Sequence, residues 1–479
     1  MRTYNPQNLT AMKKIFLLNS LFFICATNFV NAQFDTAAIV WQKSLGGNHS
    51  EGAADITITK DGGFIIAGST NSRGGDVRGY HEGSYFLNDA WIVKTDADGN
   101  IQWQKCIGGY GDDVATYISE TNDGGYIVTG ITSSTDGDMS STTFHGYADI
   151  WVAKLDESGN IIWLKSYGTS KYDRGVFIQQ TTDGGFFLQA EVDGSGGDVI
   201  DYKGGYGDIW SVKLDTLGNI VWQNALGGSS GDYPASAVLT NDGEFIIAGW
   251  TFSNDKIVSG NHGSSDVWVV KLNKDGKIIS QHCYGGTGTE TASNIDKTID
   301  GNFIVVSDIY ESAADHNGDM ACSYDAPVLN GWLIKIDNKG NLLWQSCFGS
   351  KLISDFPYAV HQLNTGGYVA AGISNYKKRD TSGDKYYNNE NYAVWQITEL
   401  GKQSEVSFGG LKRDEASDFI VNPDNSIVVV GSTNSSNGDV AFNHDSGGSS
   451  DIWILKLKPP KNETLIPYVK AASNFRTHK

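Results

Sequence analysis

Residues 101–160 read IQWQKCIGGYGDDVATYISETNDGGYIVTGITSSTDGDMSSTTFHGYADIWVAKLDESGN. Four β-prone segments stand out in them: IQWQKCI, VATYISE, YIVTGIT and DIWVAKL. Asp123-Gly124-Gly125 between the second and third reads as a tight hairpin turn in which glycine supplies positive φ, and Asp156 to Asn160 after the tryptophan segment reads the same way. Runs such as Phe64-Ile65-Ile66-Ala67-Gly68 are apolar at every position instead of alternating, which marks strands buried on both faces.

The same order of segments recurs along the chain. The string Asp-x-Trp-apolar-x-Lys returns, with small variations, at Trp91, Trp151, Trp210, Trp268, Trp332 and Trp453, and a degenerate copy places Ala393 in the tryptophan slot. The spacings are 60, 59, 58, 64, 61 and 60 residues. Seven units of four strands, evenly spaced and each with an aromatic signature, predict an all-β, closed seven-bladed β-propeller. We label the strands of a unit a (ending in Asp-Gly-Gly), b (Gly-Phe-Ile-Ile-Ala-Gly), c (Asp-x-Trp) and d (Trp-x-Lys-x-x-Gly-Gly). The repeats begin with a d strand, Ile39 to Leu45, and end with a c strand, Ile452 to Leu457. The first strand is therefore expected to complete the last blade and leave no open edge. An open solenoid, the competing architecture, would need end caps that the sequence lacks.

DIWVAKLDESGNIIWLKSYG, with a glycine- and acid-containing turn and TTDGG after it, resembles the bacterial exported seven-bladed β-propeller repeat family, with SBBP-like repeats of about sixty residues. The resemblance covers residues 39 to about 458. It implies the fold and almost nothing about activity, since one fold hosts many functions.

Composition agrees with this reading and excludes others. The chain has 479 residues and 58 glycines, about 12 % against a usual ~7 %, which favours many tight turns. A net charge of −19 excludes a nucleic-acid binder. From Met12 the sequence MKKIFLLNSLFFICATNFVNA reads as a secretory signal peptide cleaved after Ala32; its apolar run is too short and too polar for a membrane span. Losing Arg2, Lys13 and Lys14 would take the charge from −19 to −22. The expected organisation is a signal peptide over 1–32, the propeller over 33–458 and a basic tail over 459–479. The protein is expected to be a monomer, periplasmic, secreted or on the cell surface, with no membrane span.

Candidate functional residues fall on the face that carries the b–c and d–a loops, hereafter the long-loop face; the a–b and c–d turns occupy the other. Acids recur there in three slots: Glu51, Asp113, Asp173, Asp232, Glu290, Asp355 and Asp414; Asp76, Asp138, Asp198, Asp255, Asp319, Asp384 and Asp439; and Asp89, Asp149, Asp208, Asp266 and Asp451. Hard oxygen ligands of this kind suit calcium, with Asp112, Asp113 and Asp138 as candidates. The favoured reading is that each carboxylate caps a turn by accepting backbone N–H groups.

Other motifs lose their chemistry in context. Gly227-Gly228-Ser229-Ser230-Gly231 matches a nucleophile elbow, but it occupies a d–a turn where that motif needs a strand-to-helix turn. Thr59-Lys60-Asp61-Gly62-Gly63 resembles the Asp-box hairpin of sialidases, whose three sugar-binding arginines have no counterpart among the scattered arginines here. The pocket motif of bulb-type mannose lectins is absent. His81, His145, His262 and His444 lie at similar positions of b–c loops, as turn residues or as transition-metal ligands. Cys106, Cys283 and Cys347 share one packing slot, while Cys322 lies outside it and within reach of a disulfide to Cys347 or Cys283.

Two units break the pattern. The b–c loop of the fifth is the longest and holds His316, Cys322 and Tyr324. The sixth has lost its anchor tryptophan, has Gln396 for lysine, and carries Tyr376, Lys377, Lys378 and Arg379 with Tyr386 and Tyr387 in its loop. Cations among aromatic rings suit an anionic or glycan ligand, and loops on a rigid scaffold are where binding residues concentrate. An active site would need residues that break the repeat and converge near the axis, and the sequence offers no asymmetric acid/base pair or nucleophile. The expected function is therefore a non-catalytic exported binding or scaffold module for a protein or glycan at the cell envelope or outside the cell, without a required cofactor. A propeller enzyme acting on polysaccharide, a glycoside hydrolase or lyase, is the competing class.

Overall fold

The computed structural model describes residues 38–83, 87–310, 318–321, 329–350, 353–379, 386–444 and 448–460, with backbone only at 376–379 and 386–389. The expected signal peptide, most of the tail, and His316, Cys322, Tyr324 and Asp384 lie outside the described residues.

Among the described residues, twenty-eight strands form seven antiparallel four-stranded sheets. Strand β1 (Ile39–Leu45) comes first. Blade 1 is β2 (Glu51–Ile58), β3 (Phe64–Thr70), β4 (Asp89–Thr95) and β5 (Ile101–Ile107). Blade 2 is β6 (Asp113–Glu120), β7 (Tyr126–Thr132), β8 (Asp149–Leu155) and β9 (Ile161–Tyr167). Blade 3 is β10 (Asp173–Gln180), β11 (Phe186–Val192), β12 (Asp208–Leu214) and β13 (Ile220–Leu226), and blade 4 is β14 (Asp232–Leu239), β15 (Phe245–Thr251), β16 (Asp266–Leu272) and β17 (Ile278–Tyr284). Blade 5 is β18 (Thr289–Lys297), β19 (Phe303–Tyr310), β20 (Asn330–Ile336) and β21 (Leu342–Phe348). Blade 6 is β22 (Asp355–Gln362), β23 (Tyr368–Arg379), β24 (Tyr386–Ile397) and β25 (Gln403–Phe408). Blade 7 is β26 (Asp414–Val421), β27 (Ile427–Thr433) and β28 (Asp451–Leu457), and β1 is its fourth strand, pairing Gln42 with Leu455 and Leu45 with Ile452.

Core packing explains the repeat. The b and c strands are buried on both faces, and all six anchor tryptophans are fully buried. Their indole N–H groups still need an acceptor. In five blades a d-strand glutamine supplies it: Gln104 for Trp91, Gln223 for Trp210, Gln281 for Trp268, Gln345 for Trp332 and Gln42 for Trp453, at 2.7–3.1 Å. The amide of each donates in turn to a b–c loop carbonyl, as Gln42 does to Asp439 O at 2.8 Å. One side chain thus ties outer strand, inner strand and loop together. Blade 6, with Ala393 at the anchor, recovers ring volume from its neighbours. Trp395 packs edge-on to Phe348, and Tyr392 lies against Trp453 with its hydroxyl on Trp453 O at 2.9 Å.

The sixth unit departs from its expected loop. Strands β23 and β24 run twelve residues each, against six to nine in the other strands. Their ladder pairs Tyr376 with Asn389, Lys378 with Tyr387 and Arg379 with Tyr386. The basic cluster and both tyrosines sit on an extended hairpin and not on a loop, because backbone pairing continues where the apolar pattern stops.

Candidate functional site: the axial channel and its mouth

Every a strand contains a β-bulge, and all seven occur at the same place. A bulge leaves one residue unpaired and re-aims its neighbours. The unpaired residues are Ala54, Thr116, Val176, Ala235, Ser293, Tyr358 and Ser417. All seven line a cavity of about 260 Å³ to which every blade contributes, together with Asp55, Tyr117, Arg174, Ser236, Asn294 and Asp418. This cavity is the axial channel.

In three blades the side chain of the residue after the bulge reaches the next blade. Asp418 accepts from Ile56 N at 3.1 Å, Asp55 from Ile118 N at 2.9 Å, and Asn294 from Val360 N at 3.4 Å. Asp55 and Asp418 also hydrogen-bond each other through their side chains. Burial, joined in Asp55 by the charge of Asp418, raises both carboxyls, so the pair holds a proton. Two residues further along the a strands, His361 Nδ1 meets Asp296 at 2.7 Å and Nε2 meets Phe419 O at 2.9 Å. Two acceptors on the two ring nitrogens fit an imidazolium. Burial lowers the His361 pKa, but Asp296, Asp418 and the Phe419 carbonyl outweigh it and lift it to about 8.

At the channel mouth the blades stop agreeing. The residue after the capping acid of each strand a and its cross-strand partner on strand b are Gly52/Ser69, Val114/Ile131, Arg174/Glu191, Tyr233/Trp250, Thr291/Asp308, Phe356/Ile373 and Glu415/Ser432 around the ring. Arg174 meets Glu191 at 3.4 Å, and Arg413 is clasped by Glu390 and Glu415. Burial pushes the Asp308 carboxyl up to about 8. Burial, opposed by Arg413 and helped by Glu390, takes Glu415 to about 7. Beside them burial and the charges of Asp308, Glu415 and Glu390 push Tyr358 up to about 12.

The channel corrects one expectation, because asymmetric titratable groups do converge at the axis. They come from a strands of blades 1, 5, 6 and 7, so no local motif joins them. The available signal was a polar, variable position inside an otherwise repeating strand, visible only when the seven units are overlaid.

The acidic slots are used as caps. Asp113 accepts from Gly109 N at 2.9 Å, from Ser134 Oγ at 2.6 Å and from Thr132 Oγ1; Asp232 and Asp414 repeat the set. Asp112 accepts from Asn88 N and Nδ2, and Asp138 from Gly108 N at 3.3 Å. The structure does not gather Asp112, Asp113 and Asp138 into a ligand set, and among the described residues no cluster of three or more His, Cys, Asp or Glu is arranged to hold a metal ion.

The loop histidines are bridges between blades. His81, His145 and His444 each bind the c-strand aspartate of their own blade through Nδ1 at 2.7–2.8 Å and face the next blade's loop aspartate with Nε2, at 3.9, 3.3 and 3.5 Å. His262 makes the first contact, to Asp266. Ser229 and Ser230 lie in the expected turn, their N–H groups held by Asp255 and Ser253. Cys106 and Cys283 are free and buried, with thiols raised by burial, and Cys347 is disulfide-bonded.

Fold and channel together define a seven-bladed β-propeller of four-stranded blades closed by its first strand. No family model matches the chain. No curated protein matches it in sequence. Solved structures are similar to it. An ulvan lyase of polysaccharide lyase family PL25 is 10 % identical with a TM-score of 0.50, over 87 % of this chain and 97 % of its own. A second ulvan lyase structure, bound to -[GlcA(1-4)Rha3S]-, is 11 % identical with a TM-score of 0.49 over the same shares. Hydrazine synthase of Kuenenia stuttgartiensis is 12 % identical with a TM-score of 0.46, over 80 % of this chain and 93 % of its own. At 10 % identity the likeness to the first ulvan lyase structure is one of fold alone.

Proposed function

We propose that the protein is an exported, non-catalytic member of the seven-bladed repeat group, a monomer that binds a glycan across its long-loop face at the cell envelope or outside the cell. The distribution of exposed rings carries this reading. Tyr110, Tyr147, Tyr172, Tyr206, Phe252, Tyr310 and Phe442 are exposed on loops and strand ends of that face, Tyr147 and Tyr206 above 80 %, and Tyr358 is exposed in the channel. The exposed large apolar residues of the opposite turns, Ile58, Leu217, Ile299 and Leu400, are aliphatic. Flat rings beside hydrogen-bonding groups suit the apolar faces of sugars, and an isolated hydrophobic patch would not be so rich in tyrosine. The blade 6 hairpin, with Lys377, Lys378, Arg379 and Tyr376, Tyr386 and Tyr387, adds an arm for anionic substituents. The disulfide at Cys347 favours an oxidising compartment.

A glycan array with the protein lacking residues 1–32, followed by a product-release assay on each glycan bound, tests the reading. Binding without new reducing or unsaturated ends is expected. Product release would transfer the protein to the enzyme class, for which the raised carboxyls of Asp308 and Glu415 beside Tyr358 are the supporting observation.

A further inference from the structure

On the tight-turn face the blades are latched to one another, and the latch fails beside blade 4. In three places the last residue of strand a offers an acceptor to the a–b turn of the preceding blade. Glu120 accepts from Lys60 N at 3.1 Å, Gln180 from Asn122 N at 2.8 Å and Gln362 from Ile299 N at 2.6 Å. The same slot holds Leu239 in blade 4 and Lys297 in blade 5, and neither side chain can accept. Thr182 N–H and Asn241 N–H are left without an acceptor among the described residues.

The a–b turn of blade 4 is also rewired. In blades 1, 2 and 3 the turn aspartate holds the c-strand lysine, as Asp183 holds Lys213 at 3.0 Å. In blade 4, Glu244 stands where those turns have glycine; it takes Lys271 at 2.7 Å, and its N–H goes to Thr240 Oγ1 at 3.0 Å. Asp242 is thereby released, and among the described residues its carboxylate makes no hydrogen bond or ion pair.

These departures meet in one cavity. It has a volume of about 710 Å³, lies between blades 3 and 4, and is lined by Thr182, Leu239, Asn241, Asp242 and Lys297. Val221, Trp222 and Phe245 give it an apolar wall, the two rings edge to face with centroids 5.9 Å apart. Lys274 and Asp275 also line it. The volume falls within the ~300–1,000 Å³ of small-molecule sites.

The charges inside are balanced and unspent. Lys213 and Asp183, also in the lining, neutralise each other. Among the described residues the side chains of Lys274, Lys297 and Asp275, like that of Asp242, make no hydrogen bond or ion pair. Lys297 feels Asp296, but His361 already holds that carboxylate. Two ammonium groups, two carboxylates and two turn N–H groups therefore share one cavity. A simple anion or a simple cation would meet as much repulsion as attraction there, whereas a ligand that carries both signs satisfies both. Glu120 on Lys60 N shows how a carboxylate seats on such a turn.

We infer that the cavity between blades 3 and 4 binds a zwitterion with an apolar side chain, an amino acid or a short peptide. Its carboxylate goes to the free turn N–H groups and lysines, its ammonium to Asp242 and Asp275, and its side chain to Trp222 and Phe245. The site lies on the face opposite the proposed glycan surface and does not depend on that reading.

Titration calorimetry of the purified protein tests this with leucine, phenylalanine, the tripeptides Gly-Gly-Leu and Gly-Gly-Phe, and each tripeptide N-acetylated or C-amidated. At least one zwitterion should bind, the tripeptides alone if the occupant is a peptide. Blocking either end should weaken binding at least about tenfold, the loss expected when one charged contact is removed. Leu239→Gln restores the latch residue of blades 3 and 6, so it should occupy Thr182 N–H and weaken binding at least about tenfold without lowering Tm. Lys297→Gln should do the same at Asn241 N–H. Asp242→Asn, at an exposed position, should also weaken binding about tenfold at unchanged Tm, which separates loss of the site from loss of the fold. Binding retained by all three variants would overturn the site. Equal binding of end-blocked and free tripeptides would overturn the zwitterion, and no binding of any probe would overturn the inference as a whole while leaving the glycan array result untouched.

Discussion

Replacing Asp296 by asparagine removes one charge from the channel and leaves its shape. The amide oxygen introduced by Asp296→Asn can still accept from His361 Nδ1, so the variant isolates the ionic part of that 2.7 Å contact. Folded His361 keeps its proton to about pH 8, and the unperturbed imidazole releases it near 6.5. The stabilisation is therefore complete below 6.5 and disappears as the pH rises through 8. A shift of about 1.5 units corresponds to about 2 kcal/mol at ~1.4 kcal/mol per unit. The Asp55–Asp418 pair, also raised, makes both proteins less stable as the pH rises above the carboxylate range, and it largely cancels in their difference. Urea unfolding of wild type and Asp296→Asn at pH 6 and pH 9 reads the gap directly. A gap of at most about 2 kcal/mol at pH 6 that closes by pH 9 is expected, since Asp418 and the Phe419 carbonyl, which also raise His361, remain in the variant. An equal gap at both pH values would refute the charged imidazole and with it the proton-holding channel.

Deleting residues 33–46 should expose the edge of β28 and cause aggregation or a large fall in Tm, whereas truncation after 460 should leave Tm unchanged; a soluble, unaltered deletion would refute the closure. Gln42→Ala strands the Trp453 indole N–H and should cost about 1–3 kcal/mol in urea unfolding. Gly130→Ala should cost about 3 kcal/mol, since its Cβ would lie 1.9 Å from Val114 O. Chelation with EDTA should leave Tm unchanged, because Asp113 and its counterparts already accept N–H and O–H groups; a fall of several degrees would restore calcium. Replacing Lys377, Lys378 and Arg379 together with alanine should weaken any anionic glycan found on the array and move Tm by less than about 2 °C, as surface changes rarely exceed ~0.5 kcal/mol.

The repeat was legible because each blade solves the same packing problem with the same residues. Trp91 and its counterparts, the Asp-Gly-Gly turns and the capping acids recur every sixty residues, and they fix blade number, strand order and the β1–β28 seam. The channel was not legible for the opposite reason. Asp55 and Asp418 share their slot with each other but with no other blade, Asp296 and His361 occupy another slot that no other blade fills with a matching residue, and all four lie far apart in the chain, so each looks like a single polar lapse in a strand. The long hairpin was missed because SNYKKRD and KYYNNEN are polar throughout, and its pairing owes nothing to an apolar face. In the GG-S-S-G turn, by contrast, local order alone decided correctly, since the glycines and serines there are bound to neighbouring side chains as a turn requires.

The seam has a consequence for the order of the polypeptide itself. In blade 2 the c and d strands are joined by a turn closed by Asp156 N donating to Asn160 O at 2.9 Å. In blade 7 the same bond runs from Lys458 N to Ala38 O at 2.8 Å, across two stretches of chain with no covalent link at that point. The seventh turn thus keeps its closing backbone bond, with Lys458 and Ala38 where blade 2 has Asp156 and Asn160, and lacks its three middle residues. Supplying Glu-Ser-Gly, the sequence of Glu157, Ser158 and Gly159, between Lys458 and Ala38 would make the ring covalently endless. It could then be cut at any other c–d turn to give a circular permutant in which a different blade carries the join. For this ring, which blade is first is a matter of genetic punctuation and not of structure.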